Sequence, residues 1–315
     1  MDMRQLKYFL KVADLGSISK ASDQLHVAQS AISTQIAALE SELHNQLFLR
    51  RSTGVTLTEP GRLLYRHARL IQRQAEIAQE DVANASAEPC GTVCLGLPSA
   101  MAELLGIAMI RACHEHLPLV RLQIVEGLSV LLQEFTLSGR LDMSILFLDH
   151  APRGLEIQTV LDEELFYVCP PNSPFSDKGR TSISLEEALE TKLVMPAVGN
   201  SMRLVVDTAC TIAGLSFKPV AELDSLTLLK ACVVQNIAST FLPWAVVAKE
   251  EAAGDVQVLK VRAQQFTRPL SVCTSSLNAS SAATDAVYKL LREVMTDLVK
   301  DRIWQGTSLR TLSGS

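Results

Sequence analysis

From Gly91 to about residue 303 the sequence alternates between short apolar segments and amphipathic segments. TVCLGLP, VRLQIVEG and RLDMSILFL are typical of strands, and MAELLGIAMIRACHEH and SVLLQEFTLSG between them are typical of helices. This rhythm predicts a parallel sheet with helices on its faces. A second series begins at EELFYVCPP, and QFTRPLSVCTS with the helix ATDAVYKLLREVMTDLVKDRI should return to the first sheet. The pattern predicts an α/β body with two lobes, of which the first is discontinuous.

The first 58 residues carry helical spacing instead. Apolar residues recur on one face of a first helix at Leu6, Phe9, Leu10 and Ala13. Gly16 should end this helix, and Ser19 should N-cap a short second one. After a turn at His26 and Val27, a third helix has its inward stripe at Ile32, Ile36, Leu39 and Leu43. Three short helices with a tight turn before the third predict a helix-turn-helix.

The outward face of the third helix is uncharged, because it consists of Gln29, Ser30, Ser33 and Thr34. Gln pairs with adenine through two hydrogen bonds, and Ser or Thr hydroxyls suit donors or acceptors on base edges. The N-terminal end of a recognition helix meets those edges in the major groove. The alternative is a solvated helix in a small bundle.

Two arginines precede the turn STGVTLT and are typical of a β-wing that contacts phosphates. The candidate DNA contacts are Ser19, Gln29, Ser30, Ser33, Thr34, Arg50, Arg51 and Thr53.

A long helix should follow over residues 59–88. Its apolar positions alternate in steps of four and three: Leu64, Ala68, Ile71, Ala75, Ala78, Val82 and Ala85. Such a heptad seam requires a second helix against it. The alternative is packing on the core of the same chain. Pro89 and Gly91 should end the helix.

Composition limits the classes of function. Net charge is −5, yet residues 1–75 hold ten Lys and Arg against six Asp and Glu, so an anionic partner should meet this basic head.

The seven scattered cysteines predict buried reduced thiols, with a redox pair of Cys90 and Cys94 as the alternative. We expect no metal, no cofactor and no catalysis, since no matching motif occurs. With neither a signal peptide nor a membrane span expected, the protein should be cytoplasmic.

The segment LKYFLKVADLGSISKASDQLHVAQSAISTQIAALESELHNQLFLRRSTGVTLTEPG resembles the winged helix-turn-helix of LysR-type transcriptional regulators, and most of all their nitrogen assimilation control branch. EGLSVLLQEFTLSGRLDMSIL and VVQNIASTFLPW resemble motifs of the regulatory domain. Ala28 stands where the family usually has a Ser or Thr helix cap, Ser30 where Pro is common and Thr34 where Arg is frequent. We therefore expect the half-site sequence to differ from that of relatives. Gln235 and Asn236 stand where glycines are common, and Asn tolerates a left-handed conformation, so the helix cap is expected to survive.

The resemblance implies a regulatory domain similar to periplasmic binding proteins, with an effector cleft between its lobes. Hydroxyl and amide side chains follow predicted strands, where helix N-termini attract anions. The candidate effector contacts are Ser99, Ala100, Ser129, Phe147, Asn200, Ser201 and Arg203, and Arg203 could add a fixed positive charge for a small anionic effector. Alternatively, the serines are ordinary helix N-caps and the protein works without an effector. A cytoplasmic solute-binding protein is a more distant alternative.

The complete prediction is an α/β protein with an all-α, winged-helix N-terminal part. The expected divisions are a DNA-binding domain over 1–58, a dimerisation helix over 59–89, lobe I over 90–162 and 266–303, lobe II over 163–265, and a flexible tail over 304–315. The resemblance implies a homodimer or homotetramer on a double-stranded promoter dyad. RNA polymerase is a further candidate partner, and no membrane partner is expected.

Overall fold

The computed structural model describes residues 1–51, 54–83, 88–175, 179–277 and 280–310. The helices are α1 (Met3–Leu15), α2 (Ile18–Leu25), α3 (Gln29–Glu42), α4 (Glu59–Ala83), α5 (Ser99–His116), α6 (Ser129–Leu137), α7 (Leu185–Leu189), α8 (Ser201–Ala213), α9 (Leu226–Val234), α10 (Trp244–Ala253) and α11 (Ala282–Lys300).

The strands are β1 (Phe48–Arg51), β2 (Gly54–Leu57), β3 (Gly91–Pro98), β4 (Val120–Gly127), β5 (Met143–Leu146), β6 (Leu155–Cys169), β7 (Ser182–Ser184), β8 (Val194–Met195), β9 (Ala221–Glu222), β10 (Thr240–Pro243), β11 (Gln257–Arg262), β12 (Thr267–Ser275) and β13 (Thr307–Leu309). None of the helices within these described ranges has the length and apolar character that a bilayer crossing requires.

The N-terminal head is a winged helix-turn-helix, as the sequence predicts. Helices α1 to α3 pack around a common apolar core, and the antiparallel β1–β2 hairpin closes it, with the rings of Phe9 and Phe48 5.2 Å apart. Gly16 ends α1 in a left-handed conformation with φ of 60°. Its carbonyl accepts a hydrogen bond of 2.9 Å from the N–H of Val55, so the end of α1 anchors the wing.

The predicted N-cap of α2 is wrong by two residues. Ser17, rather than Ser19, is extended and accepts the N–H of Lys20 at 3.3 Å. Because Gly16 already turns the chain in its left-handed conformation, the next residue is free to cap and the helix begins at once. Ser19 therefore lies exposed within the first turn of α2.

Helix α4 begins where the sequence predicts. The Thr58 hydroxyl accepts the N–H of Gly61 at 3.0 Å, and Pro60 stands in the first turn, where its missing N–H costs nothing. Asp14 of α1 accepts the hydroxyl of Tyr65 at 2.6 Å and pairs with the guanidinium of Arg69. These contacts fix the first half of α4 to the head.

The predicted seam of α4 divides into two parts. Ala68 is buried and Leu64 is half-buried in the head core, so these positions pack on their own chain. Ile71 and Val82 are 39% and 81% exposed, and they remain available to a second helix. The last predicted position, Ala85, lies outside the described residues.

The body is built around the long strand β6. The sheet order β4-β3-β5-β12-β6-β11-β7 runs through both lobes, and β3 is parallel to both β4 and β5, which confirms the predicted parallel arrangement. Residues 155–164 of β6 pair with β12, whereas its residues from Leu165 onward pair with β10 and β11. One strand thus links the apolar cores of lobe I and lobe II.

The prediction of a loose tail from residue 304 is wrong as far as residue 310. Trp304 is 1% exposed, and β13 pairs antiparallel with β6 at the residues that also pair with β12, so it covers the opposite edge of β6. Gly306 has φ of 71° and approaches Phe166 so closely that a Cβ atom would lie 2.4 Å from the ring. The strand has only three residues and is held by backbone hydrogen bonds, so its sequence shows no periodic apolar pattern that could predict it. Residues 311–315 lie outside the described residues.

Two local predictions concern Asn236 and the cysteines. Asn236 follows α9 with φ of 59°, which confirms that asparagine replaces glycine in the left-handed turn. All seven cysteines are free thiols, and four of them are buried. Burial raises the pKa of Cys169 and Cys210 to about 11 and that of Cys273 to about 12. These thiols stay protonated at neutral pH, as expected of structural cysteines.

Candidate DNA interface and interlobe cleft

The uncharged face of α3 points away from the head. Ile32, Ile36 and Leu39 are at most 2% exposed on the inner side, whereas Leu43 is only half-buried. On the outer side Gln29, Ser30 and Thr34 are exposed and Ser33 is half-buried. Ala28 occupies the N-cap and makes no side-chain cap, so the first N–H groups of α3 are also open.

None of these four polar side chains is hydrogen-bonded to any other part of the chain that the structure describes. Arg50 and Arg51 are exposed on β1 and are likewise unpaired among the described residues. Thr53 lies outside them. The hydroxyl and amide groups of this helix face can donate to and accept from base edges, and the guanidinium groups on β1 can contact phosphates.

Glu40 connects the recognition helix to the wing. Its Oε1 atom accepts the backbone N–H of Leu47 at 2.7 Å and that of Phe48 at 3.2 Å. This pair of hydrogen bonds fixes the start of β1 relative to α3, and therefore the arginines relative to Gln29. The sequence did not predict this contact, because a single glutamate near the end of a helix looks like any exposed charged residue.

The body connects to α4 through a half-buried ion pair. Arg73 donates through Nε to Asp142 at 2.9 Å and through Nη2 to the carbonyl of Thr92 at 3.1 Å. The other oxygen of Asp142 accepts the N–H of Cys94 at 2.8 Å. Burial raises the pKa of Asp142, and the charge of Arg73 opposes this effect. These contacts fix lobe I to the long helix α4.

The predicted effector contacts lie at the ends of strands and the starts of helices. Ser99 and Ala100 follow β3, and Ser129 follows β4, whose last residues are paired with those of β3. Phe147 follows β5, and Asn200 with Ser201 begins α8 of lobe II.

Arg268 joins two of these predicted contacts across the lobes. It lies on β12 opposite Glu163 of β6, and its Nε and Nη2 atoms reach Glu163 Oε2 at 2.9 and 2.6 Å. Nη1 donates to Ser201 Oγ at 2.8 Å, and the guanidinium carbon lies 3.5 Å from the ring centroid of Phe147. Trp304 donates to the second oxygen of Glu163 at 3.3 Å.

This group of residues is buried and internally neutral. The side chains of Arg268 and Glu163 are 3% and 1% exposed. Burial lowers the pKa of the arginine and the glutamate opposes this, so the guanidinium remains charged at neutral pH. A buried pair of this kind needs hydrogen bonds on its remaining atoms, and Ser201 and Trp304 supply them.

Arg203 does not provide the free positive charge expected from the sequence. Its Nε donates to Asp207 at 2.8 Å, its Nη1 donates to Glu222 at 2.9 Å, and the guanidinium lies over Phe217. Spacing of four residues on α8 explains the first pair. The second arises because the short β8–β9 sheet places Glu222 beside α8.

The alternative that the three serines are helix N-caps is also wrong. The caps are Pro98, Leu128 and Asn200, and each serine is the first residue of its helix. Asn200 caps α8 by accepting the N–H of Met202 at 3.0 Å, whereas the other two caps make no side-chain hydrogen bond. The hydroxyl of Ser99 therefore has no capping duty.

Sequence reasoning missed Arg268, Glu163 and Trp304. The available signal was one arginine in QFTRPLSVCTS and one glutamate pair in LDEELFYVC, both in segments expected to run between lobes. A charge inside a central strand requires a partner, but strand register decides which one.

Two family models match the chain. Residues 3–62 match the family model described as bacterial regulatory helix-turn-helix protein, lysR family, and residues 86–296 match the LysR substrate binding domain. The nitrogen assimilation regulatory protein of Klebsiella aerogenes is 32% identical over 297 residues, covering 94% of this chain and 96% of that protein. Its Escherichia coli counterpart is 31% identical, covering 97% and 99%.

Solved structures share the fold along the whole chain. A full-length OxyR variant from Pseudomonas aeruginosa has a TM-score of 0.78 at 21% identity and covers 100% of this chain and 99% of its own. Full-length CbnR in complex with its target DNA has a TM-score of 0.68 at 21% identity, covering 93% and 100%. The chain belongs to the LysR family of DNA-binding transcriptional regulators, with an N-terminal helix-turn-helix and a two-lobed regulatory domain.

Proposed function

We propose that this regulator binds an interrupted promoter dyad as a homodimer, with one recognition helix in each half-site. The observation that carries the proposal is that the outer-face side chains of α3 (Gln29, Ser30, Ser33 and Thr34) and the wing arginines Arg50 and Arg51 have no hydrogen-bond partner among the described residues. The polar side chains read base edges in the major groove, and the arginines hold phosphates.

The exposed half of the α4 seam supports dimerisation. Ile71, Ala78 and Val82 are exposed, and a second copy of α4 would cover them in an antiparallel pair. Ile107 and Ile110 of α5, 54% and 58% exposed, offer lobe I a further contact for pairing dimers into a tetramer. Sedimentation of the promoter-bound protein tests this assembly, and dimers alone at micromolar concentration would contradict the tetramer.

A footprint on the DNA upstream of its own gene tests the dyad. The expected result is two protected half-sites separated by about one helical turn or a multiple of it, with protection that weakens as salt rises. Protection independent of sequence, or none at low salt, would overturn the proposal.

Control through the interlobe cleft has two candidate forms. In the first, a small anionic effector binds among Ser99, Ala100, Ser129, Phe147, Asn200 and Ser201. In the second, no effector is needed and abundance sets activity. The geometry favours the second, because Arg268 already occupies Phe147 and Ser201, Glu163 neutralises it, and Arg203 is paired elsewhere.

Repeating the footprint with metabolites of the neighbouring pathway distinguishes the two forms. An unchanged footprint is expected when the chain's own Arg268 closes the cleft. A footprint that shortens or shifts with one metabolite would instead support the effector-switched form.

A further inference from the structure

Lobe I contains a cavity of about 200 Å³ whose lining residues do not include Arg268, Glu163, Ser201 or Trp304. It lies where the C-terminal strand crosses between β6 and α11, and its walls include Arg292 and Thr296 of α11, Gln158 and Val160 of β6, and Arg310 just after β13. Spacing of four residues places Tyr288, Arg292 and Thr296 on one face of α11, toward the cavity.

Arg292 is the unusual member of this cavity. Its Nε atom is buried, and its guanidinium has no hydrogen-bond or ion-pair partner among the described residues. Buried donors of charged groups are nearly always satisfied, so an orphan donor beside a cavity indicates a partner that the chain itself does not supply.

The neighbouring groups add hydrogen-bond donors and leave the Arg292 guanidinium without an ion-pair partner among the described residues. Arg310 pairs with Asp162 through Nε and Nη2 at 2.8 and 2.7 Å, and Nη1 is not used in these bonds. The amide oxygen of Gln158 accepts the hydroxyl of Tyr288 at 2.5 Å, which leaves its NH₂ group to donate. Asp162 and Asp149 balance the charge of Arg310, so the guanidinium of Arg292 is the group that remains for an anion.

A β-bulge forms the floor of the cavity. The register of β6 with β12 shifts so that Val160 has no partner there, and its carbonyl instead accepts the N–H of Arg310 at 2.9 Å. Bulges often lie beside functional sites because they redirect side chains. Val160 and Leu309 also supply apolar wall for a short carbon skeleton.

We propose that this cavity binds a small molecule carrying an oxyanion group, a carboxylate or a phosphate, with Arg292 as its principal contact. A water molecule takes about 30 Å³ in the liquid, so the volume suits an acid of a few carbon atoms rather than a nucleotide. The guanidinium fork matches the paired oxygens of both anion types.

Isothermal titration of the full-length protein without DNA tests the site, with succinate and inorganic phosphate as separate probes and sodium chloride balancing ionic strength. We expect one probe to bind. Arg292→Gln should raise its dissociation constant about ten- to a hundredfold, the effect of losing a charge-assisted contact. Arg121→Gln, which removes an exposed arginine at the far edge of the same sheet, should leave the constant unchanged.

Thermal unfolding separates a binding role from a structural one. Without added anion, Arg292→Gln should be at least as stable as the wild type, because it removes an unpaired charge, and only the wild type should gain stability from the bound probe. If Arg292→Gln does not fold, Arg292→Lys keeps the charge without the fork and should bind less tightly. Equal affinity in wild type and the Arg292 variants, or binding of neither probe, would overturn the proposal. DNA binding by the head is independent of either result.

Discussion

The recognition face is lined with Ser, Thr and Gln side chains and the interlobe cleft with Ser and Asn side chains, yet these polar groups are in opposite states in the two regions. On α3 the polar groups and the nearby arginines are exposed and unpaired among the described residues, so they are free for a partner. In the cleft Ser201, Arg268 and Glu163 are bonded to one another, and Phe147 stacks on the guanidinium. Hydroxyl and charged side chains are available to bind a ligand in the first region, whereas in the second they form hydrogen bonds within the protein.

Residue type and position along a fold are therefore insufficient to identify a binding site. A ligand gains little by meeting a group that must first abandon a buried partner, since the group left behind then lacks its own hydrogen bond. Free donors and acceptors at the surface carry no such cost. We therefore expect the exposed groups of the head to contact DNA, and the paired side chains of Arg268, Glu163 and Ser201 to hold the two lobes together.

The largest expected effect comes from breaking the cleft pair. Glu163→Gln leaves the buried Arg268 guanidinium without its anion and should lower the free energy of unfolding by about 3–5 kcal/mol. Asp162→Asn is the matched control, because Asp162 is the preceding residue on β6 and its pair with Arg310 is partly exposed. It should cost no more than about 1 kcal/mol. Urea unfolding followed by the fluorescence of the two tryptophans, Trp244 and Trp304, measures both losses. Equal losses of unfolding free energy in the two variants would show that the pair of Arg268 and Glu163 does not stabilise the protein more than an exposed pair does.

The next effect concerns the open face. Gln29→Ala should reduce the preference for specific over non-specific DNA by about 1–3 kcal/mol, because a bidentate contact to adenine is lost. Arg51→Ala should weaken binding to specific and non-specific DNA by similar factors. It should also reduce the slope of the logarithm of affinity against the logarithm of salt concentration by about one. Competition binding at several salt concentrations distinguishes these results. If both variants lost affinity without losing preference, the division between reading and positioning groups would be wrong.

Much of this contrast could be predicted from sequence where the signals are local. The stripe of Ile32 and Ile36, the wing arginines and the left-handed turn at Asn236 each depend on residues within a few positions. The cleft could not be predicted this way, because Arg268 and Glu163 lie 105 residues apart and meet only through the register of β12 with β6. The C-terminal strand was missed for a related reason, since its pairing uses backbone groups that any sequence provides.

A smaller effect sharpens the assignment of hydroxyl and amide groups within the cleft. Asn200→Ala removes the side-chain cap of α8 and should destabilise the protein by about 1 kcal/mol. Ser99→Ala alters the first residue of α5, whose cap is Pro98, and should change stability by less than about 0.5 kcal/mol. Chemical denaturation of both variants checks the pair. A loss from Ser99→Ala equal to that from Asn200→Ala would restore a capping role for the serine.

The smallest effect should come from an exposed pair that also joins the lobes. Lys249 of α10 pairs with Glu103 of α5, and both side chains are exposed. The hydrogen bond from Lys249 lowers the pKa of Glu103, and that carboxylate raises the pKa of Lys249. The contribution of the pair is therefore present at neutral pH. It is lost as pH falls through the lowered pKa of Glu103 and as pH rises through the raised pKa of Lys249.

Lys249→Gln tests this pair against the buried one. The variant should differ from the wild type only slightly in denaturation midpoint at neutral pH and low salt. That difference should vanish in high salt, because exposed charges are screened. The deficit of Glu163→Gln should persist in the same high salt, since its charges are shielded from solvent ions. If the loss of stability in Glu163→Gln decreased in high salt, water and ions would reach Arg268. The cleft would then be accessible to solvent, as the recognition face is.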